Sequence, residues 1–107
     1  MSVQEVSVAE LEALLQADAR LVDVRETDEY TSGHVPGAVH VALGTVPDQL
    51  HMFRGDGPVY VVCRSGARSM RACEFLVQQG VPAINVAGGT LDWVAGGRAV
   101  VPGSEPL

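Results

Sequence analysis

Apolar residues at positions 8, 11, 14 and 15 repeat with a helical period, and Ser7 followed by Glu10 has capping-box spacing. The pattern predicts a helix over Val8–Gln16, behind a short strand at Gln4–Val6. Leu21, Val22 and Val24, interrupted by Asp23, predict a strand over Leu21–Val24. Glu26–Ser32 reads as a helical turn, and Gly33-His34-Val35-Pro36-Gly37 as a rigid loop closed by glycine and proline. Val39–Val41 makes a third strand, and Val46–Met52 a short helix behind Pro47. After the turn Gly55-Asp56-Gly57-Pro58, the run Val59-Tyr60-Val61-Val62 is apolar on both faces, as a central parallel strand covered on both sides should be. A helix follows residues 63–69 and runs to Gln79, with Gly80 as its terminating residue. Ala83–Val86 is the last strand, Gly88-Gly89 a tight bend, and Thr90–Val94 the last short helix. From Gly96 onward, glycine and proline predict an irregular tail. Strands alternating with helices imply a three-layer α/β fold: a central, mostly parallel, five-stranded sheet with helices on both faces.

Length and composition narrow the picture. A chain of 107 residues has the length for one domain, with a core over about residues 5–95 and a tail over 96–107. The apolar runs are far shorter than the ~20 residues a membrane span requires, so no membrane association is expected. The start, MSVQEVSVAE, has no basic segment and does not read as an export signal, which places the chain in the cytoplasm. Cys63 and Cys73 are not in a C-x-x-C pair, which argues against a metal site and a disulfide framework; no cofactor is expected. The net charge of −6 makes nucleic acid an unsuitable partner. Arg64, Arg68 and Arg71 nevertheless cluster beside Cys63, which suggests a small anionic ligand there. Arg71 reads equally well as a solvated residue on a helix face.

Ligands of open α/β sheets sit beyond the carboxyl ends of the strands, and Cys63 directly follows the most apolar one. The loop after it, Arg64-Ser65-Gly66-Ala67-Arg68-Ser69, holds a glycine and small residues before entering a helix. Such a turn can aim several backbone N–H groups at one point. The helix N-terminus adds about half a positive charge, and Arg64 and Arg68 add more. A cysteine so placed has its pKa lowered from ~8.5 to between ~3.5 and ~7.5, which makes Cys63 the expected nucleophile.

The segment Cys63-Arg64-Ser65-Gly66-Ala67-Arg68-Ser69 resembles the active-site loop of rhodanese-family sulfurtransferases. Leu21-Val22-Asp23-Val24-Arg25-Glu26, Glu29-Tyr30, Gly33-His34-Val35-Pro36-Gly37-Ala38 and Gly88-Gly89 with Trp93 are similar to the family's other signatures, in order. The resemblance implies a rhodanese-like fold and a catalytic Cys63 that takes sulfane sulfur from a donor such as thiosulfate or a persulfide. Arg64, Ser65, Gly66, Ala67, Arg68 and Ser69 would bind the substrate, and cyanide or a thiol would accept the sulfur. A sulfur-carrier or regulatory module acting on a relay partner protein is the alternative. Related phosphatases and arsenate reductases carry C-x5-R, whereas four residues separate Cys63 from Arg68 and Ser69 stands where that spacing needs arginine. The shorter loop favours a terminal sulfur over a tetrahedral oxyanion.

Other residues carry less chemistry. Cys73 shares a helical face with Ser69, Ala72 and Leu76 and reads as core, while His34 and His40 read as structural. Asp23 and Arg25, by the resemblance, hold loops together. Trp93 packs under Gly88-Gly89 or forms a wall of the active-site mouth. Two-domain thiosulfate sulfurtransferases have a basic, thiosulfate-holding residue where this chain has Glu29. A carboxylate there would repel a dianion, which points to a persulfide as donor; alternatively Glu29 pairs with Arg25 or Arg68 and holds the loop.

Overall fold

A computed structural model describes residues 2–107. Five strands, β1 (Gln4–Val6), β2 (Arg20–Asp23), β3 (Val39–His40), β4 (Val59–Val62) and β5 (Ala83–Val86), form one sheet in the order β1-β5-β4-β2-β3. Every pairing is parallel. Parallel neighbours need crossovers, supplied by α1 (Val8–Gln16), α2 (Thr27–Ser32), a 3-10 segment (Leu43–Met52) and α3 (Ala67–Gln78), with α4 (Gly89–Ala95) after β5.

β4 lies at the centre, and all four of its residues are buried. Its side chains alternate between two cores. Val59 and Val61 join Val46, Phe53, Ala72, Cys73 and Leu76 beneath α3 and the 3-10 segment. Tyr60 and Val62 join Leu11, Tyr30 and Trp93 beneath α1, α2 and α4. The three layers expected from the sequence follow from that alternation.

Element ends differ in detail from the sequence reading. The capping box holds: Glu10 N–H donates to Ser7 Oγ at 3.1 Å, and Ser7 N–H to Glu10 Oε1 at 2.9 Å. The helix expected over residues 46–52 is instead a 3-10 segment that begins at Leu43, contains Pro47 and is interrupted at Gln49. Proline lacks the N–H and crowds the preceding turn, which disfavours a regular α-helix. The tail has the expected lack of regular elements but is held in place. Val101 and His34 exchange two backbone hydrogen bonds of 2.9 Å, Gly103 N–H donates to Thr31 O at 2.9 Å, and Gly37 N–H to Pro106 O at 2.6 Å. Among the described residues no helix is long and apolar enough to cross a membrane.

Candidate active site

Cys63 is the first residue beyond β4, at the carboxyl edge of the sheet, and is 1% exposed. Three residues on, Gly66 has φ 105°, a left-handed conformation that side chains disfavour, and it caps α3. That turn brings Gly66 N–H to 3.1 Å from Cys63 Sγ, and the Ser69 hydroxyl from the first turn of α3 lies 3.3 Å from it.

The loop's carbonyls are occupied elsewhere. Thr90 N–H and its hydroxyl donate to Cys63 O at 2.9 and 3.0 Å, and Leu91 N–H donates to Arg64 O at 3.0 Å. The start of α4 thus binds the carbonyl side of the loop, and the N–H groups of Ser65, Gly66 and Ser69 remain for sulfur. This close approach requires Gly89: a Cβ there would lie 2.6 Å from both Cys63 O and Arg64 O.

The electrostatics follow from this arrangement. Burial works against the Cys63 thiolate. Hydrogen bonds from the Ser69 hydroxyl and from the N–H groups of Ser69, Gly66 and Ser65 outweigh it, and the thiol lies below its ordinary pKa. Cys73, fully buried on the core face of α3, is pushed up to about 12 by burial and then by the charge of Cys63. The two cysteines are therefore shifted in opposite directions.

The three arginines have different surroundings. Arg68 forms a two-point pair with Glu29 of α2, at 2.7 and 2.9 Å. Arg68 thereby ties the loop helix to α2, and Glu29, held mainly by that hydrogen bond, falls to about 2. Of the two readings for Glu29, the pairing one matches the structure. Arg64 is exposed beside the loop, and Arg71 is exposed on α3. Ser65 and Ala67 are exposed as well, while Gly66 and Ser69 are buried. Hydrogen bonds, rather than arginine charge, dominate the stabilisation of the thiolate.

The buried Asp23 carboxylate accepts from the backbone N–H and Nε of Arg25, whose Nη2 donates to Gly33 O at 2.8 Å. This pair fastens the end of β2 to the Gly33–Gly37 loop. Tyr30 is stacked between His34 and His40, with ring centroids 3.8 and 4.7 Å away, so both histidines serve packing. Trp93 is buried, and its Nε1 donates to Ala99 O at 2.9 Å; it anchors the tail rather than lining the mouth. A cleft of about 580 Å³ beside the loop is lined by Arg25, Asp28, Glu29, Arg64, Leu91 and Val94, among others.

Two residues that sequence reasoning did not single out lie behind the sulfur. Asn85 of β5, 1% exposed, has its Oδ1 2.5 Å from Ser69 Oγ, and its Nδ2 donates to Glu5 Oε2 of β1 at 2.8 Å. A polar residue inside an otherwise apolar strand was the available signal. Among the described residues, no cluster of three or more His, Cys, Asp and Glu could hold a metal.

The model of the rhodanese-like domain family matches residues 7–96. The chain is 39% identical over 95 residues to "Putative sulfurtransferase YtwF" of Bacillus subtilis, covering 87% of this chain and 92% of that one. It is 30% identical over 97 residues to "Thiosulfate sulfurtransferase GlpE" of Pseudoalteromonas translucida, covering 89% and 92%. The crystal structure of a rhodanese-related protein from Thermoplasma volcanium superposes with a TM-score of 0.86 at 28% identity, over 95% of this chain and 99% of that one. The sheet order, the cradle around Cys63 and these matches lead to one assignment: the chain belongs to the rhodanese-like domain family.

Proposed function

We propose that the chain is a sulfurtransferase that carries sulfur as a persulfide on Cys63. The observation that carries this reading is the hydrogen-bonded cradle, in which Gly66 N–H and the Ser69 hydroxyl converge on one buried sulfur. The Cys63 thiolate attacks the sulfane sulfur of the donor, the donor S–S bond breaks, and sulfite or a thiolate leaves with the electron pair. The acceptor, cyanide or a thiolate, then attacks the outer sulfur of the Cys63 persulfide and regenerates the Cys63 thiolate. Ser65, Gly66 and Ser69 hold the terminal sulfur through their N–H groups, Ala67 leaves room at the start of α3, and Arg64 guides the donor at the mouth. Arg68 acts through Glu29 by fixing the loop.

A persulfide donor fits the cleft better than thiosulfate. Asp28 and Glu29 line it, Arg68 is neutralised by Glu29, and Arg25 is neutralised by Asp23, which leaves Arg64, among the described residues, as the unpaired cation of the lining. A cleft of about 580 Å³ is also in the range of small-organic-molecule sites, far more than a small inorganic anion occupies. Two free thiols suit a reducing compartment such as the cytoplasm. The loop spacing, with Ser69 where a phosphatase needs arginine, argues against oxyanion ester hydrolysis.

Intact mass after incubation with thiosulfate and with a low-molecular-weight persulfide tests the reading. One added sulfur is expected on wild type and on Cys73→Ser, none on Cys63→Ser, and faster loading from the persulfide. Loading that survives in Cys63→Ser would overturn the assignment.

A further inference from the structure

The Ser69 hydroxyl has one proton and three acceptors around it: Cys63 Sγ at 3.3 Å, Gly66 O at 3.2 Å and Asn85 Oδ1 at 2.5 Å. The shortest approach is between two oxygens, so with Cys63 as a thiol the proton lies between Ser69 and Asn85. A Cys63 thiolate draws the same proton toward sulfur and leaves two oxygens facing each other. The orientation of the Asn85 amide decides this contest. Its Nδ2 donates to Glu5 Oε2 at 2.8 Å and to Gly66 O at 3.3 Å. Turning the amide over would offer an N–H to Ser69 and release the hydroxyl for sulfur. It would also set Oδ1 against the Glu5 carboxylate and the Gly66 carbonyl, both of which only accept.

We infer that Glu5 is a positioning residue for Cys63: by fixing the Asn85 amide, it turns the Ser69 proton away from sulfur and tempers the acidity of the thiol. Restraint has a chemical use. Thiolate nucleophilicity falls as acidity rises, with a slope of about 0.4–0.5, so a thiol acidified too far attacks poorly. The other charged or titratable groups that act on Cys63 are Arg68 and Cys73 of α3, and Arg64 follows it in the loop. Arg68 is further coupled to Glu29 of α2. None of these is hydrogen-bonded to Ser69 or Asn85 among the described residues, which leaves Glu5 as the charge that acts through them.

The inference concerns the nucleophile of the proposed sulfur transfer, but its test needs no sulfur donor. The rate of iodoacetamide modification at Cys63 is followed against pH by peptide mass, with a thermal melt to confirm folding. Glu5 is exposed, so Glu5→Gln leaves the core intact, and its amide, which donates as well as accepts, no longer excludes the turned-over Asn85. The expected result is a midpoint lower by about half a unit and a limiting rate at high pH lower by about twofold. Loss of a negative charge could lower the midpoint through its field alone, so the same substitution is made in a Ser69→Ala background. There the shift should vanish, because no hydroxyl remains to redirect. An equal shift in both backgrounds, or none in Glu5→Gln alone, would overturn the proposal even if Cys63 carries sulfur as proposed.

Discussion

At the scale of single residues, the pair Glu29–Arg68 makes a pH-dependent contribution with a definite sign. The folded-state pKa of Glu29, about 2, lies below the ordinary 4.5, so the pair stabilises the fold fully above that ordinary value. The contribution is lost as pH falls from about 4.5 through 2. Both side chains are about 30% exposed, and solvent screening limits the pair to about 1 kcal/mol. Denaturant titrations of wild type and Glu29→Gln should differ by that amount at pH 7 and converge near pH 2; a constant gap would mean that Glu29 acts through something other than its charge. Arg64 makes a complementary case. It is exposed and its cation is not part of the cradle, so Arg64→Ala should slow donor loading while leaving the Cys63 ionisation midpoint within a few tenths of a unit. A rise of a full unit, read from thiolate absorbance against pH, would return the arginine to the role its position in the sequence suggested. Arg68 shows what spacing along the chain leaves open. Residue spacing shows that Arg68 is near Cys63 along the chain, but not that a carboxylate from α2 meets it first.

At the scale of elements, the site is the joint between the β4–α3 loop and the start of α4. Cys63 and its loop could be recognised in the sequence because a cysteine, a glycine turn and a helix start are adjacent there. Thr90, which takes the Cys63 carbonyl with both its N–H and its hydroxyl, could not be recognised, since the joint between positions 63 and 90 exists only once β4 and β5 are paired. Gly89 shows how tight that joint is. It adopts φ 59°, and the Cβ of any other residue would lie 2.6 Å from two backbone oxygens that cannot move without moving Cys63. Gly89→Ala should therefore cost about 1–3 kcal/mol through backbone strain alone. It should also lower the rate of Cys63 alkylation at neutral pH, because displacing α4 frees the loop carbonyls to turn toward sulfur. A stable variant with an unchanged alkylation profile would show that α4 does not organise the cradle. The 3-10 segment illustrates the opposite limit: a short helix was expected over residues 46–52, but the segment starts at Leu43 and breaks at Gln49, two residues after Pro47.

At the scale of the whole molecule, the C-terminal tail is the part that local pattern described least well. Glycine and proline correctly predicted the lack of regular structure, and the family match ends at residue 96. Yet the tail spans both ends of the α2–loop region: Ala99 O receives Trp93 Nε1, Val101 bridges His34, Gly103 reaches Thr31, and Pro106 O caps Gly37. These bonds secure the loop that also accepts Arg25 through Gly33 O, and Gly33 and Arg25 in turn line the cleft. The tail is thus coupled to the cleft wall beside the candidate site without touching Cys63. Removing residues 99–107 would take away five hydrogen bonds between tail and body. At a net value of about 0.5–1 kcal/mol each, the expected destabilisation is about 3–5 kcal/mol. Trp93 is the single tryptophan, so its emission reports the change directly and should shift to the red as Ala99 is lost and water reaches the indole. The Cys63 ionisation midpoint should stay where it is, because the cradle is built from β4, α3 and α4. Loading from a persulfide donor should slow, because the cleft wall formed by α2 and Gly33 loses its support. If the truncated chain melted at the wild-type temperature with unshifted emission, the tail would be a passive appendage. If the midpoint of Cys63 moved with the truncation, the cradle would extend further through the molecule than its hydrogen bonds indicate.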